Sequence, residues 1–386
     1  MHLFFMTEIF LATTNQGEIK NMNSNRYKQF GAALALALVL AQNTFAGLAT
    51  PSGIAKVTVP GGVGRTEFFG MPFARPVERS GTISSVSTTD GNATFTVALD
   101  AGQSALPTVN TYSSNATILA TEQNTDAWYL LEILDGPGIG FIFPCTGTSA
   151  GSNTVTVKGD TGTISIPSGT KFVLRKEWTL STLFGAASAT NPFGFGSSST
   201  GNNATSGIVK GRVQVYNSLL GTLANYYINK TSTSYNWRLA SLPQNRNHVP
   251  LQLGKGVVVV NSTSSALAFT VSGEYRTART RLSVPAGYTT FVSNPGPTDV
   301  TFDTATIPAT SPTRTTSTPG TSDTWRIWNA VSRTFASYKV GGTSNANGPS
   351  MYLGSSRVDP TIPAFKAVAV VPAGTGNKIV TIAPKL

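Results

Sequence analysis

Charge is what this chain has least of. Of its 386 residues, 28 are Lys or Arg and 17 are Asp or Glu, 12% together, against roughly 25% in ordinary soluble domains. Its surface must therefore be built from Ser, Thr, Asn and Gly, and coiled coils and charged disordered tails are excluded. Cysteine is limited to Cys145 and histidine to His2 and His248. A single thiol rules out an intrachain disulfide, and this histidine count rules out a histidine-rich metal centre. Apolar residues at helical spacing are nearly missing. No G-x-S-x-G elbow occurs, and the serine runs at 197–199 and at Ser355-Ser356 have no paired base or oxyanion element, so serine catalysis has no support.

What is present is β-sequence. The 20 Phe, 11 Tyr and 5 Trp supply an ample core, and a chain of this length ordinarily divides into two or three domains. Short β-branched and aromatic runs, such as residues 94–99, 154–158, 257–260 and 378–382, are separated by Gly, Pro, Asn and Ser. That spacing predicts an all-β protein built of sandwiches or barrels. The segment DGPGIG, residues 135–140, reads as a tight hairpin turn needing positive φ at its glycines. No helix pattern follows it, so it is not a phosphate loop.

From Met22 the chain runs through a basic segment with Arg26 and Lys28, an apolar stretch at 32–41, and Thr44 and Ala46 ahead of a small-residue junction. This is the pattern of a secretory signal peptide, residues 22–46, with cleavage expected after Ala46. The apolar stretch is too short to span a bilayer. Residues 1–21 read as an over-extended gene start. The expected location is secreted: periplasm, cell surface or extracellular matrix, with no integral membrane segment after cleavage.

A self-comparison finds an internal match. Residues 213–226, VQVYNSLLGTLANY, lie without gaps over residues 325–338, WRIWNAVSRTFASY, pairing Tyr216 with Trp328, Asn217 with Asn329 and Tyr226 with Tyr338. Downstream, 257–260 matches 368–371 and 269–271 matches 380–382; upstream, Ser165-Ile166-Pro167 with Gly169 resembles Ser283-Val284-Pro285 with Gly287. The expected organisation is an N-terminal β domain, 47–160, followed by two tandem copies of a sandwich or barrel-like module, 162–273 and 280–384. Polar stretches at 185–207 and 303–321 read as surface loops inside the copies.

Candidate chemistry is sparse. His248 reads as a solvated loop residue and Cys145 as a small buried apolar one. Acid–base catalysis would need paired carboxylates, and Glu122, Glu132, Asp135, Glu177 and Glu274 lie nearest aromatic or turn segments. Basic residues are densest from Tyr275 to Arg281; in one extended strand Tyr275, Arg279 and Arg281 would share a face, and with Arg276 they could meet an anionic polysaccharide or envelope component. Trp178, Trp237, Trp325 and Trp328 could stack on sugars, Trp325 and Trp237 being the ligand candidates, although core packing is the commoner fate of such residues. No catalytic residue, metal ligand, cofactor or nucleic-acid partner is assigned.

The segments YLLEILDGPGIGFIF (129–143), KEWTLSTLFG (176–185) and YNWRLA (235–240) resemble an uncharacterised family of secreted β-proteins associated with Verrucomicrobia-type bacteria. Trp178-Thr179-Leu180 is the most distinctive point, and Glu177 stands where the family usually has a basic or aromatic residue. The resemblance implies export and modular β architecture and assigns no site residue. The sequence as a whole points to an exported structural or adhesive protein of the cell surface or matrix, without catalytic activity, that self-associates through strand edges or repeated faces. A polysaccharide-binding protein is the alternative and a carboxylate-dependent glycoside-active enzyme the third reading.

Overall fold

The structure is a computed structural model, and it describes residues 52–71, 73–89, 92–110, 125–158, 165–194, 209–217, 222–230, 234–240, 245–276, 278–285, 287–294, 296, 298–301, 323–341, 350–354, 356–374 and 377–383. The expected leader, the 21 residues before it, the loop at 303–321 and residues 195–207 of the other loop lie outside these. The fold is all-β, as the alternating runs require. No described helix is long and apolar enough to cross a membrane.

Strands β1 (Ser52–Val59), β2 (Arg65–Gly70) and β3 (Phe73–Ala74) come first. Then β4 (Val77–Thr89), β5 (Asn92–Leu99), β6 (Tyr129–Ile133), β7 (Ile142–Ser149), β8 (Thr154–Lys158) and β9 (Lys171–Lys176) close a barrel in the order β4-β5-β8-β7-β6-β9. Closure is possible because β4 is long enough to serve both neighbours: its first half pairs with β9 and its second with β5, and the register shifts between Ile83 and Ser85 and between Val77 and Arg79. Such bulges bend a strand around a tight corner. Strict alternation sends Ala93, Phe95, Val97, Val155, Val157 and Phe172 inward, where they fill the interior completely enough to be buried. A six-stranded barrel is narrow, so its centre is a core and not a channel.

The chain continues through β10 (Trp178–Thr179), a helix α1 (Leu180–Phe184), β11 (Gly211–Asn217), β12 (Thr222–Lys230), β13 (Tyr235–Leu239), β14 (Pro250–Leu251), β15 (Gly256–Asn261) and β16 (Leu267–Tyr275). The helix is a single turn held by reciprocal caps: Thr179 Oγ1 accepts from the Thr182 N–H at 3.4 Å, and Thr182 Oγ1 accepts from the Thr179 N–H at 2.8 Å. The sheets β13-β12-β11-β15-β2 and β1-β16-β3 enclose one core that includes Val57, Val213, Tyr226, Trp237, Val257 and Phe269. This is the first sandwich.

The second sandwich uses β17 (Thr280–Pro285), β18 (Thr290–Ser293), β19 (Val300–Thr301), β20 (Thr324–Asn329), β21 (Thr334–Gly341), β22 (Ser350–Leu353), β23 (Ser356–Val358), β24 (Thr361–Ile362), β25 (Ala367–Val371) and β26 (Asn377–Ile382). Its sheet β18-β25-β20-β21-β22-β23 packs on the pair β17-β26 around Leu282, Trp325, Val368 and Val380.

Strand partners cross the limits expected from sequence. The first three strands pair not with the barrel that follows them but with β15 and β16, some two hundred residues away, and β9 at 171–176 belongs to the barrel. The unit at 47–160 is therefore replaced by a barrel at 77–176 inserted between β3 and β10. Matched residues do occupy matched positions in the ladders: Val213 pairs with Tyr226 and Val259, and Trp325 pairs with Tyr338 and Val370. The upstream match falls elsewhere. Phe269 pairs with Val57 as Val380 pairs with Leu282, so VTVPGG at 57–62, and not the Ser165 segment, stands opposite LSVPAG at 282–287. Gly169 instead ends a turn of the barrel, donating its N–H to Ile83 O at 2.8 Å.

The two sandwiches meet reciprocally. Gly70 N–H donates to Phe365 O and Ser293 N–H donates to Gly254 O, both at 2.8 Å, and isolated bridges join Phe69 to Lys366 and Val292 to Lys255. Phe68 and Phe291 touch edge to face at the centre, 5.1 Å between centroids; Trp328 and Phe335 flank Phe68, and Tyr216 flanks Phe291. Truncating Phe68 removes the ring that the other three surround. Phe68→Ala is expected to lower unfolding free energy by about 3–5 kcal/mol and Phe335→Ala, on the exposed rim, by about half that or less, read from urea denaturation.

Candidate functional site at the junction of barrel and sandwich

The residues expected to meet a ligand are distributed differently. Trp325 is 2% exposed and faces the second core, because alternation along β20 turns Trp325 and Ile327 inward and Trp328 toward Phe68. Trp237 is fully buried, its indole N–H donating to Gly185 O at 3.1 Å. Neither presents a face to a sugar. Trp178 donates to Phe73 O at 2.8 Å beneath the Arg75 guanidinium.

The basic run is not one strand. β16 stops at Tyr275 and β17 starts at Thr280, so Tyr275, Arg276, Arg279 and Arg281 separate. Tyr275 packs on Phe73 with centroids 4.8 Å apart. Arg276 is buried, and its Nη1 lies 3.0 Å from Glu132 Oε1. Arg279 is exposed. Arg281 donates from Nη1 to Pro137 O at 2.7 Å and lies over the Phe141 ring.

These contacts belong to a junction between barrel and first sandwich. Arg175 on β9 donates from Nε to Glu132 Oε2 on β6 at 3.2 Å, from Nη1 to Arg75 O at 2.7 Å, and from Nη1 to Glu274 Oε2 on β16. Glu132 thus sits between two guanidinium groups, Arg175 and Arg276. Nearer solvent, Arg75 pairs with Asp126 at 2.8 Å and donates to Glu177 O at 3.3 Å. Burial lowers the Arg276 pKa from its ordinary range and the Glu132 charge opposes that shift.

The DGPGIG turn docks into the same junction. Arg281 N–H donates to Gly140 O at 2.8 Å, and Phe141 forms a parallel bridge with Arg281. Gly140 has φ +89, and a Cβ there would run into the Arg279 carbonyl, so the position admits only glycine. Two features read separately in the sequence, the glycine turn and the basic run, are halves of one contact.

Of the five carboxylates singled out, Glu132 and Glu274 converge, but on Arg175. Glu132 has both oxygens on guanidinium groups in a buried setting, which suits it to fixing the barrel and not to exchanging protons with a substrate. Glu177 is buried and accepts the Leu253 N–H at 3.0 Å, as Asp299 accepts the Ala364 N–H at 2.8 Å. Asp135 accepts the Lys171 N–H at 2.7 Å, and Glu122 lies outside the described residues. Among those residues no group of three or more His, Cys, Asp or Glu could hold a metal ion. Burial and the Glu177 charge push the Cys145 thiol well up.

Across β4, β5 and β8, what alternation leaves on the outside of the barrel is largely hydroxyl. Ser85 lies opposite Thr96 and Thr96 opposite Thr154; in the next row Ser87 lies opposite Thr94 and Thr94 opposite Thr156. The Oγ1 atoms of Thr94 and Thr156 are 3.3 Å apart. Rows of this kind have strands about 4.8 Å apart and same-face residues about 6.7 Å apart along each strand. The signal was in the sequence as SVS, TFT and TVT. No protein-family model matches the chain, and no curated protein matches it.

Three outcomes follow from this geometry. Glu132→Ala leaves Arg276 and Arg175 buried without their shared partner and is expected to cost about 3–5 kcal/mol in urea denaturation. Native Cys145 is expected to resist alkylation at pH 8.5 and to react once the protein is unfolded, measured by mass spectrometry. Burial first, and the Glu78 carboxylate second, push Tyr129 from 10.0 up to about 12. Its share of stability is present below pH 10 and is lost as pH rises toward 12, so Tyr129→Phe is expected to flatten the alkaline fall in the urea midpoint.

Proposed function

We propose that the protein is an exported, non-catalytic structural or adhesive component of the cell surface or extracellular matrix. The observation that carries this reading is the hydroxyl wall of the barrel, Ser85, Ser87, Thr94, Thr96, Thr154 and Thr156, a neutral hydrogen-bonding face on a firmly anchored support. Glu132, Arg175 and Arg276 are turned inward to join the parts, and the hydroxyl rows carry groups that both donate and accept. The leader pattern at 22–46 supports export, and the resemblance to secreted β-proteins agrees with it. Matched ladder positions support two copies of one module. On this reading the first copy carries the barrel where the second has only residues 296–299, with Glu177 and Asp299 as corresponding carboxylates.

Polysaccharide binding is the second reading, and the same wall favours it in place of Trp325 and Trp237. In the producing bacterium, fractionation and N-terminal sequencing are expected to recover the protein outside the cytoplasm beginning at Gly47, and deletion of its gene to weaken attachment of cells to surfaces or to one another. Retention in the cytoplasm would overturn the proposal. Adsorption to an insoluble polysaccharide, lost in a Thr94→Glu/Thr156→Glu variant of unchanged melting temperature, would select the second reading.

A further inference from the structure

We propose that the outer edge of β1 is a docking edge for a second copy of this chain, two β1 strands pairing antiparallel about Ile54. The inference rests on the structural-protein reading only for its purpose, and on the ladder for its geometry. β1 pairs with β16 along its whole length, and among the described residues its other edge has no strand partner. The strand in the corresponding place of the second sandwich is β17, whose Leu282 pairs with Val380 as Val57 pairs with Phe269. That edge of β17 is occupied. Arg281 N–H donates to Gly140 O and Arg281 bridges to Phe141, so this edge of this fold accepts an extended segment where one is within reach.

Arg281 corresponds to Lys56. The outward N–H of Arg281 therefore places the Lys56 N–H, and with it those of Ile54 and Thr58, on the open edge. The side chains agree, since Ala55, Val57 and Val59 face the core and Ile54, at 75% exposed, faces solvent with Lys56 and Thr58. An edge strand with an exposed isoleucine and unpaired amides is a template for another strand, and pairing with itself is closed by a two-fold axis. Charge selects the register. Centred on Lys56, two ammonium groups would face each other; centred on Ile54, the two isoleucines cover one another and each Lys56 faces Ser52. The single lysine thus restricts the pairing to one dimer and does not forbid it.

Sedimentation velocity on the purified protein over a range of concentrations is expected to show a monomer–dimer equilibrium. Ile54→Lys, at an exposed position, is expected to keep the melting temperature and weaken association by about tenfold or more. Ile54→Cys is expected to give a disulfide-linked dimer on oxidation, Cys145 being buried, whereas Lys56→Cys does not. A monomer at every concentration, an Ile54→Lys protein that still dimerises, or cross-linking through Lys56→Cys alone would overturn the pairing. A monomer recovered at the cell surface would leave the proposed function standing, and a dimer confined to the cytoplasm would remove that function while leaving the edge intact.

Discussion

The guanidinium of Arg175 is where the separate parts of the molecule become one. It lies on the last barrel strand, takes Glu132 from the barrel and Glu274 from the sandwich, and holds the backbone of Arg75 as the chain enters the barrel. A buried charge of this kind tolerates no alternative position, because any displacement leaves an unpaired ion out of water. Arg276 completes Glu132, and the run that follows it is thereby fixed on course toward the DGPGIG turn. The place where β17 begins depends on that course.

A different physics joins the sandwiches. Their contact is mainly apolar and aromatic, with one ion pair, Lys366 to Glu67 at 2.7 Å, and two backbone hydrogen bonds related by exchange of the partners, Gly70 to Phe365 and Ser293 to Gly254. Phe365 adopts φ 62 where Gly254 has φ 83, so a non-glycine residue is kept in the left-handed region at a position the interface defines. Strain of that sort persists only when the surroundings fix it. Buried ion pairs join the barrel to the first sandwich, whereas ring packing fills the centre of the contact between the sandwiches.

Much of the fold could be read from alternation. The runs 94–99, 154–158, 257–260 and 378–382 are strands nearly residue for residue, and the matched hairpins at 213–226 and 325–338 have matched registers. Partner choice could not be read so well, because β1 and β2 alternate no differently from a strand of an independent N-terminal domain. Their partners lie two hundred residues on, and local pattern carries no information at that range. Helix α1 escaped because one turn shows no period; its cap, Thr179 with Thr182, was the available signal. Among candidate site residues, type was informative and setting was not. Trp325 and Trp237 are core because their neighbours alternate with them, and Arg276 and Arg281 meet a carboxylate and a carbonyl of the same chain, whereas Arg279 is exposed.

The barrel begins and ends at one point, Val77 lying opposite Arg175 in the ladder. During synthesis, β1 to β3 emerge first and must wait for β15 and β16 before they can pair. The barrel, drawn from one contiguous stretch, can close during that wait. Once closed it acts as a staple in the chain, bringing β3 next to β10 and roughly halving the loop still to be closed, which recovers about 0.6 kcal/mol of entropy. The insertion that makes the topology long on paper is thus what makes it short for the folding chain, and a barrel that cannot close leaves the first three strands with nothing to guide them home.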